Sequence, residues 1–298
     1  MKPYFVLIAD VKKSKKYTSD ARGRLQGLLS ASLDYLNILY SYGIEKRVVF
    51  SGGDEIQGLF RDPLTPFLYY RMLTFILGAK TIRGGIGFGD WSVRVEGESS
   101  PSQDGSAYHH ARRALDEAKS NKPYDVVFVG DGRIDEYLTV LMDHSIGMSE
   151  MRTSAQNDTA LIIEMMFPLV GASPNDEAFF GTDRVRDIER SLANLLDLRE
   201  SMSRKSQAKP GLMQGITETA RMIDSLTFHP VAIEPIGDAH RCPSFPNGKD
   251  IQGVSSILSN LTGMTRQGID RQLASSRVVQ ERNAVVAYAY SLKLSIEW

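Results

Sequence analysis

Residues 48–60 constrain the fold most, because they predict two strands joined by a tight turn. The arms are rich in β-branched and aromatic residues, and the sequence Ser-Gly-Gly-Asp between them is typical of a turn. Asp54 and Glu55 would lie at the exposed tip, where Gly52 and Gly53 remove side chains and allow a ligand to approach the backbone. An ordinary surface hairpin is the alternative interpretation.

Strand and helix patterns alternate around this hairpin as far as residue 130. Apolar runs predict further strands at residues 4–9, 81–89 and 124–129, and 3.6-residue periodicity predicts helices at residues 21–41, 63–79 and 106–120. The order β-α-β-β-α-β-α-β predicts an α+β, ferredoxin-like (βαββαβ) sheet with helices on one face. We expect strands one and two to lie side by side in its middle. The glycines of residues 84–89 predict a close backbone approach.

Asp10 directly follows the first predicted strand, and four lysines crowd the loop after it: Lys12, Lys13, Lys15 and Lys16. An acid followed by a basic loop suits a metal ion together with phosphates, because the acid holds the cation and the lysines offset phosphate charge. In the predicted sheet, Asp10 would meet the hairpin tip at one edge and share an ion with Asp54 or Glu55. A turn residue followed by a solvated loop is the alternative.

Composition limits the class of protein. The 298 residues are 42% hydrophobic and 24% charged, which is typical of a globular chain of about two domains. The formal net charge of -1 gives no overall attraction to nucleic acid. The single Cys242 excludes an internal disulfide and fits a reducing compartment. No run approaches the roughly 20 apolar residues of a membrane helix, so we expect a cytoplasmic protein that does not contact a membrane.

The sequence changes character after residue 130. We predict a palm-like α+β domain over residues 1–130, a helical region over 131–228, a Pro-rich linker over 229–250 and a helix-turn-helix domain over 251–298. In the helical region, residues 131–145, 159–170, 184–203 and 211–226 read as helices, although residues 162–169 are also compatible with a strand. His229, His240 and Cys242 lack the spacing of a zinc site.

Residues 255–273 predict a helix, a short glycine turn and a second helix, and a final helix follows over 283–294. The start of the second helix would present Arg266, Gln267 and Arg271, which are residue types that read bases in the major groove. A helical hairpin that only packs against protein is the alternative, because the surroundings are not strongly basic.

Four motifs in order carry a resemblance to known families. Asp10 at the end of strand one, the Gly-Gly-Asp-Glu hairpin, the Gly-Ile-Gly strand and the Ala-Leu-Asp-Glu-Ala-Lys helix together resemble the nucleotidyl cyclase palm, which includes the GGDEF diguanylate cyclases. More closely, Ile8-Ala9-Asp10, the segments at residues 53–59 and 85–89, and residues 104–112 are similar to the SatD family of bacterial proteins. The resemblance covers residues 4–130, with a weaker match near 251–290, and implies a C-terminal helix-turn-helix.

The palm resemblance implies roles for individual residues. Asp10, the Val11 carbonyl and Asp54 would bind Mg²⁺ or Mn²⁺, and Glu55 would be a further ligand or a base acting on the attacking hydroxyl. Lys119 would bind a triphosphate, with Lys12 and Lys13 in the loop that wraps it. Asn37 on the first helix would recognise the base.

The sequence departs from the diguanylate cyclases, because Ile56 and Gln57 follow Glu55 and the Asn-Asp-x-x-Gly-His stretch is absent. Two hypotheses follow. One is a Mg²⁺-dependent nucleotidyltransferase or cyclase that uses a nucleoside triphosphate and works as a homodimer. The other is a catalytically weak or inactive nucleotide-sensing regulator that binds DNA through the helix-turn-helix.

Overall fold

A computed structural model describes residues 3–78, 80–120, 123–130, 132–205, 228–233 and 251–295. Its strands are β1 (Tyr4–Val11), β2 (Ile44–Gly52), β3 (Glu55–Phe60), β4 (Ile82–Gly89), β5 (Val126–Val129), β6 (Leu169–Val170) and β7 (Val231–Ala232). Its helices are α1 (Ser19–Leu39), α2 (Thr65–Leu77), α3 (Ser106–Lys119), α4 (Asp135–Glu150), α5 (Ser154–Met166), α6 (Glu177–Phe180), α7 (Thr182–Lys205), α8 (Val254–Thr262), α9 (Arg266–Ser276) and α10 (Val278–Ser295). The protein is therefore a mixed α+β fold.

The first five strands form one mixed sheet in the order β2-β3-β1-β4-β5. β1 runs antiparallel to both β3 and β4, β2 runs antiparallel to β3, and β5 pairs parallel with β4. The prediction that strands one and two are neighbours was wrong. The connection through α1 carries the chain past one strand position, and β3 returns from the hairpin to fill that position beside β1.

Helices cover both faces of the sheet, which corrects the prediction of a single covered face. Phe5, Leu7 and Ala9 of β1 belong to a core with α1 and α2, whereas Val6 and Ile8 point to the opposite face and pack with α3. Alternate residues of a strand face opposite sides, so a strand with two covered faces reads as continuously apolar.

The glycines of β4 let α3 lie almost on the strand. A Cβ at Gly85 would come within 2.4 Å of the Ala111 carbonyl oxygen, and one at Gly87 within 2.2 Å of the Ala107 carbonyl oxygen. The close backbone approach predicted from these glycines is confirmed, and the partner is a helix of the same chain. This packing fixes where the side chains of α3 meet the sheet.

The remaining helices share the core of α1 and α2. A single hydrophobic cluster includes Phe67 of α2, Leu161 of α5, Leu192 of α7 and Tyr288 of α10. It crosses the predicted domain boundaries at residues 131 and 251. Among the described residues, the helices after β5 therefore pack on the same core as the sheet.

The predicted helix at residues 159–170 is divided between two elements. α5 ends at Met166, Pro168 follows, and β6 pairs in parallel with β7, which lies within the predicted linker. The predicted helix at residues 211–226 and most of the Pro-rich segment, with His240 and Cys242, lie outside the described residues. No helix in the described ranges has the length and apolar character needed to cross a membrane.

Candidate functional site

The candidate site lies where β1 ends, beside the β2–β3 turn. In the strand register Asp10 is the direct partner of Glu55 in β3 and of Arg83 in β4. Direct partners of antiparallel strands project from the same face, with Cβ atoms roughly 5 Å apart. The structure therefore brings Asp10 and Glu55 together, on the face that α3 covers.

Two basic side chains from α3 hold these two acids. The Arg112 guanidinium donates two hydrogen bonds to the Glu55 carboxylate, at 2.6 and 2.8 Å, and Lys119 Nζ lies 3.2 Å from Asp10 Oδ2. Ser51 Oγ donates to Glu55 Oε1 at 2.9 Å. Each acid of the pair thus has a cation of the same helix as its partner.

These ion pairs affect the titration of Glu55. Partial burial would raise the pKa of its carboxyl, but the hydrogen bonds from Arg112 and Ser51 outweigh burial and lower that pKa below its ordinary value. Lys119 lowers it further through its charge. The hydrogen bond to Glu55 in turn raises the pKa of Arg112. Glu55 is accordingly a carboxylate at neutral pH.

Asp54 differs from its neighbours, because its Oδ2 is buried and receives no hydrogen bond. The turn that carries it is formed by Gly53, whose φ of 62° favours glycine. Gly52 and Gly53 are both exposed, and a Cβ on either would meet no atom within 4 Å. The tip therefore combines open space with a carboxylate oxygen that lacks a partner.

The other residues predicted to lie near the ion or the phosphates have different environments. Lys12 forms an ion pair with Asp125, the residue before β5. Lys13 is exposed in a left-handed conformation with a φ of 56°. Val11, predicted to offer its carbonyl to the metal, is the buried last residue of β1.

Asn37 has a structural role, which corrects its predicted role in base recognition. Its Nδ2 donates to the Val48 carbonyl at 2.9 Å, and its Oδ1 accepts from the Val48 amide at 3.0 Å. The β2–β3 ladder shifts register between Lys46 and Val49, which leaves the Val48 backbone without a ladder partner. The side chain is only 7% exposed, and both of its polar groups are occupied, so it cannot reach a base.

A second acidic group adjoins the Lys12–Asp125 pair. Partial burial and a hydrogen bond with Asp125 raise the pKa of Glu150, at the end of α4, to about 7. Burial and the charge of Asp125 also raise the pKa of Asp143. These groups belong to the same end of the sheet, because the Asp125 carbonyl accepts a hydrogen bond from the Gly84 amide at the start of β4.

Arg266, Gln267 and Arg271, the predicted DNA contacts, are exposed on α9. Thr265 caps this helix by accepting a hydrogen bond from the Gly268 amide. Gly263, in a left-handed conformation, ends α8 three residues before α9 begins. All three side chains thus lie outside the core. They are distant in sequence from Asp10.

Sequence reasoning gave no role to Arg112 and Arg83, although both belong to the charged group around Asp10. Arg112 and Lys119 are seven residues apart and so share a face of α3. The spacing from Lys119 could therefore have identified Arg112 from the sequence. Arg83 had no comparable signal, because only the strand register makes it a neighbour of Asp10.

Carboxylate oxygens are the ligands that Mg²⁺ and Mn²⁺ prefer, so the donor types at this tip suit such an ion. Within the described ranges, no group of three His, Cys, Asp or Glu side chains has the arrangement of a metal site. The unpartnered Oδ2 of Asp54 is the observation that favours a cation here. Arg112 and Lys119 would compete with such an ion for the carboxylates of Glu55 and Asp10.

Comparison with known proteins gives one match. Searches among curated proteins and among solved structures found none. The model of the SatD family matches residues 4–204, about two thirds of the chain. The match runs from β1 through α7, beyond the predicted limit at residue 130, and does not include residues 251–290. It contains Asp10, Glu55, Arg112 and Lys119, and the chain belongs to the SatD family.

Proposed function

We propose that this protein binds a nucleoside triphosphate together with Mg²⁺ or Mn²⁺ at the edge formed by Asp10, Asp54 and Glu55. The observation that carries the proposal is the pairing of two adjacent acids, Asp10 and Glu55, with two cations from one helix. A site with charges of both signs matches a ligand that combines a cation with phosphates.

The strand order supports a palm of the nucleotidyl cyclase type. A ferredoxin-like βαββαβ unit has the order β2-β3-β1-β4 with antiparallel neighbours, which is the order of the first four strands here. In this interpretation α3 and β5 are additions at the β4 side. The acids then occupy the end of the central strand and the hairpin beside it.

Each residue would have a defined task. Asp10, the Val11 carbonyl and Asp54 would hold the ion, and Glu55 would complete its ligands or accept a proton from an attacking hydroxyl. Lys119 would contact phosphate oxygens, with Lys12, Lys13 and the open backbone of Gly52 and Gly53 around them. When bound, the metal ion would neutralise phosphate charge and favour attack of the hydroxyl oxygen at the α-phosphorus, with pyrophosphate as the leaving group. Catalysis of this kind is part of the proposal.

The test combines binding with product analysis. Purified protein is titrated calorimetrically with ATP, GTP, CTP and UTP in the presence of Mg²⁺ or Mn²⁺, and long incubations with labelled nucleotides are resolved chromatographically. We expect Asp10→Ala and Asp54→Ala to weaken metal-dependent binding at least tenfold, or about 1.4 kcal/mol. Asp34→Ala, an exposed acid on α1, serves as the matched control.

Separate outcomes address the two parts of the proposal. Nucleotide binding without any product would support a nucleotide sensor and refute the proposed catalysis. Binding that is unchanged in both aspartate variants, or absent from the wild type, would contradict the nucleotide site itself.

We also propose a second candidate, a DNA-binding regulator, on the basis of the exposed Arg266, Gln267 and Arg271 on a capped helix that follows a three-residue turn. Gel-shift assays with the DNA upstream of the protein's own gene, with and without nucleotide, test it. We expect Arg266→Ala and Arg271→Ala to abolish the shift, whereas Arg186→Ala on α7 should retain it. Absence of any shift for the wild type under both conditions would refute this candidate.

A further inference from the structure

The cations suited to phosphates and the acids suited to a metal neutralise one another at this site. Arg112 contacts both oxygens of Glu55, and Lys119 contacts Asp10. Asp10 also interacts with the cation of the other pair, because its charge helps to raise the pKa of Arg112. The four side chains therefore form one compact set of charges.

A metal ion alone is a poor ligand for this set. It would have to compete with Arg112 for Glu55 and with Lys119 for Asp10, and these two cations would repel it. A nucleotide alone faces the reverse problem, because taking Arg112 and Lys119 leaves two adjacent carboxylates that repel the phosphates. When both ligands arrive, every released charge gains an opposite partner.

We propose that Arg112 is a phosphate-binding residue and that the Glu55–Arg112 and Asp10–Lys119 pairs exchange partners on ligand binding, so that metal and triphosphate bind cooperatively. This inference rests on the proposed function and adds to it a residue and a regulation of the same site.

Asp54 gives the exchange a starting point. Its buried Oδ2 has no hydrogen bond to lose, so a cation that reaches this oxygen does not have to break either ion pair first. Arg112 can follow readily, because 45% of its side chain is exposed and its guanidinium can turn towards solvent.

Thermodynamic linkage makes the inference measurable. If the metal raises nucleotide affinity by some factor, the nucleotide raises metal affinity by the same factor. Removing one member of an internal pair should shift the two single-ligand affinities in opposite directions, which a merely structural ion pair would not do.

The experiment measures three affinities by calorimetry for each variant: Mn²⁺ alone, ATP or GTP alone in EDTA, and nucleotide with saturating Mn²⁺. For Arg112→Ala we expect affinity for Mn²⁺ alone to rise about fivefold, because the competing cation is gone, and affinity for the metal–nucleotide complex to fall about tenfold. For Glu55→Gln we expect tighter binding of metal-free nucleotide and weaker binding of Mn²⁺. Arg113→Ala, the exposed neighbour on α3, should change none of the three.

The outcomes separate this inference from the proposed function. If the wild type binds the metal–nucleotide complex but Arg112→Ala leaves the affinity for Mn²⁺ alone unchanged, or lowers it, partner exchange is refuted and the nucleotide site stands. If the wild type binds neither Mn²⁺ nor nucleotide, both are refuted. Circular dichroism melting of each variant verifies folding, and Arg112→Lys should restore part of the complex affinity.

Discussion

Among single residues, Asn37 is a buried polar side chain that hydrogen-bonds to the backbone. The palm resemblance implied that Asn37 of α1 recognises a base. In the fold, it satisfies the amide and the carbonyl of Val48, where β2 departs from regular pairing. Buried backbone groups require partners, and an Asn amide supplies a donor and an acceptor at once.

We therefore expect Asn37→Ala to lower the free energy of unfolding by about 2–4 kcal/mol, since two buried groups lose their partners. Urea denaturation measures the change, with the exposed Asp34→Ala as control. The nucleotide affinity of the folded fraction should stay at the wild-type value. A variant of unchanged stability with weakened nucleotide binding would restore the role in base recognition.

Glu150 provides a prediction about pH. Its pKa is raised from an ordinary 4.5 to about 7 by partial burial and Asp125, so the folded state favours the protonated form. Protonation of this carboxyl stabilises the folded state, and the effect is complete below about pH 4.5. The stabilisation is lost as pH rises through 7. Glu150→Gln keeps a neutral side chain at every pH.

We expect Glu150→Gln to be more stable than the wild type at pH 8, by about 1 kcal/mol after allowance for solvent screening of this partly exposed group. The two proteins should converge near pH 4.5. Denaturation at several pH values between 4.5 and 8 measures the difference. A constant difference across that range would contradict the raised pKa.

At the scale of elements, the contact between α3 and β4 determines the site. Gly85 and Gly87 allow backbone-to-backbone packing, and the same helix carries Arg112 and Lys119 to the end of β1. A side chain on either glycine would push α3 outward. Stability and charge geometry therefore depend on the same contact.

We expect Gly87→Ala to destabilise the protein by about 1–3 kcal/mol, because its Cβ would meet the backbone of Ala107 and Ala111 at 2.2 Å. The matched exchange Gly23→Ala lies in a helix with no atom within 4 Å and should instead stabilise by up to about 1 kcal/mol. Thermal melting compares the two. Equal effects of both exchanges would show that the packing at Gly87 is looser than described.

At the scale of the whole molecule, a buried ionic network joins distant parts of the chain. Arg71 of α2 donates two hydrogen bonds to Glu164 of α5, both at 2.8 Å, and two to Glu281 of α10, at 2.5 and 2.6 Å. Arg282 adds a hydrogen bond of 2.5 Å to Glu164. The carboxylate of Glu281 also accepts from Ser145 of α4. The C-terminal helices thus complete the core that begins at α2.

Removing one member of such a network leaves a buried charge with too few partners. We expect Glu281→Gln to cost about 3–5 kcal/mol, measured by denaturant unfolding, while the exposed Asp270→Asn changes stability by less than about 0.5 kcal/mol. A chain ending at residue 205, close to the end of the family match, should fail to fold cooperatively. A stable, cooperative protein of that length would show that α10 is dispensable.

Local sequence patterns are sufficient to predict most of the strands and helices and the types of residue at the site. Apolar runs and the hairpin turn located the first five strands. Among the described residues, 3.6-residue periodicity located the helices except α6, and α5 only in part, because burial of one helix face requires that pattern. The short motifs identified the family, and the chain order placed acids at a strand end and at a hairpin tip.

Which side chains meet at the site depends on contacts that form only in the folded chain. The strand order made Glu55 and Arg83 the neighbours of Asp10, and the glycines of β4 brought Arg112 and Lys119 onto the acids. The network of Arg71, Glu164 and Glu281 connects residues up to 210 positions apart. Such contacts depend on register and packing between distant segments, and a local sequence pattern records neither.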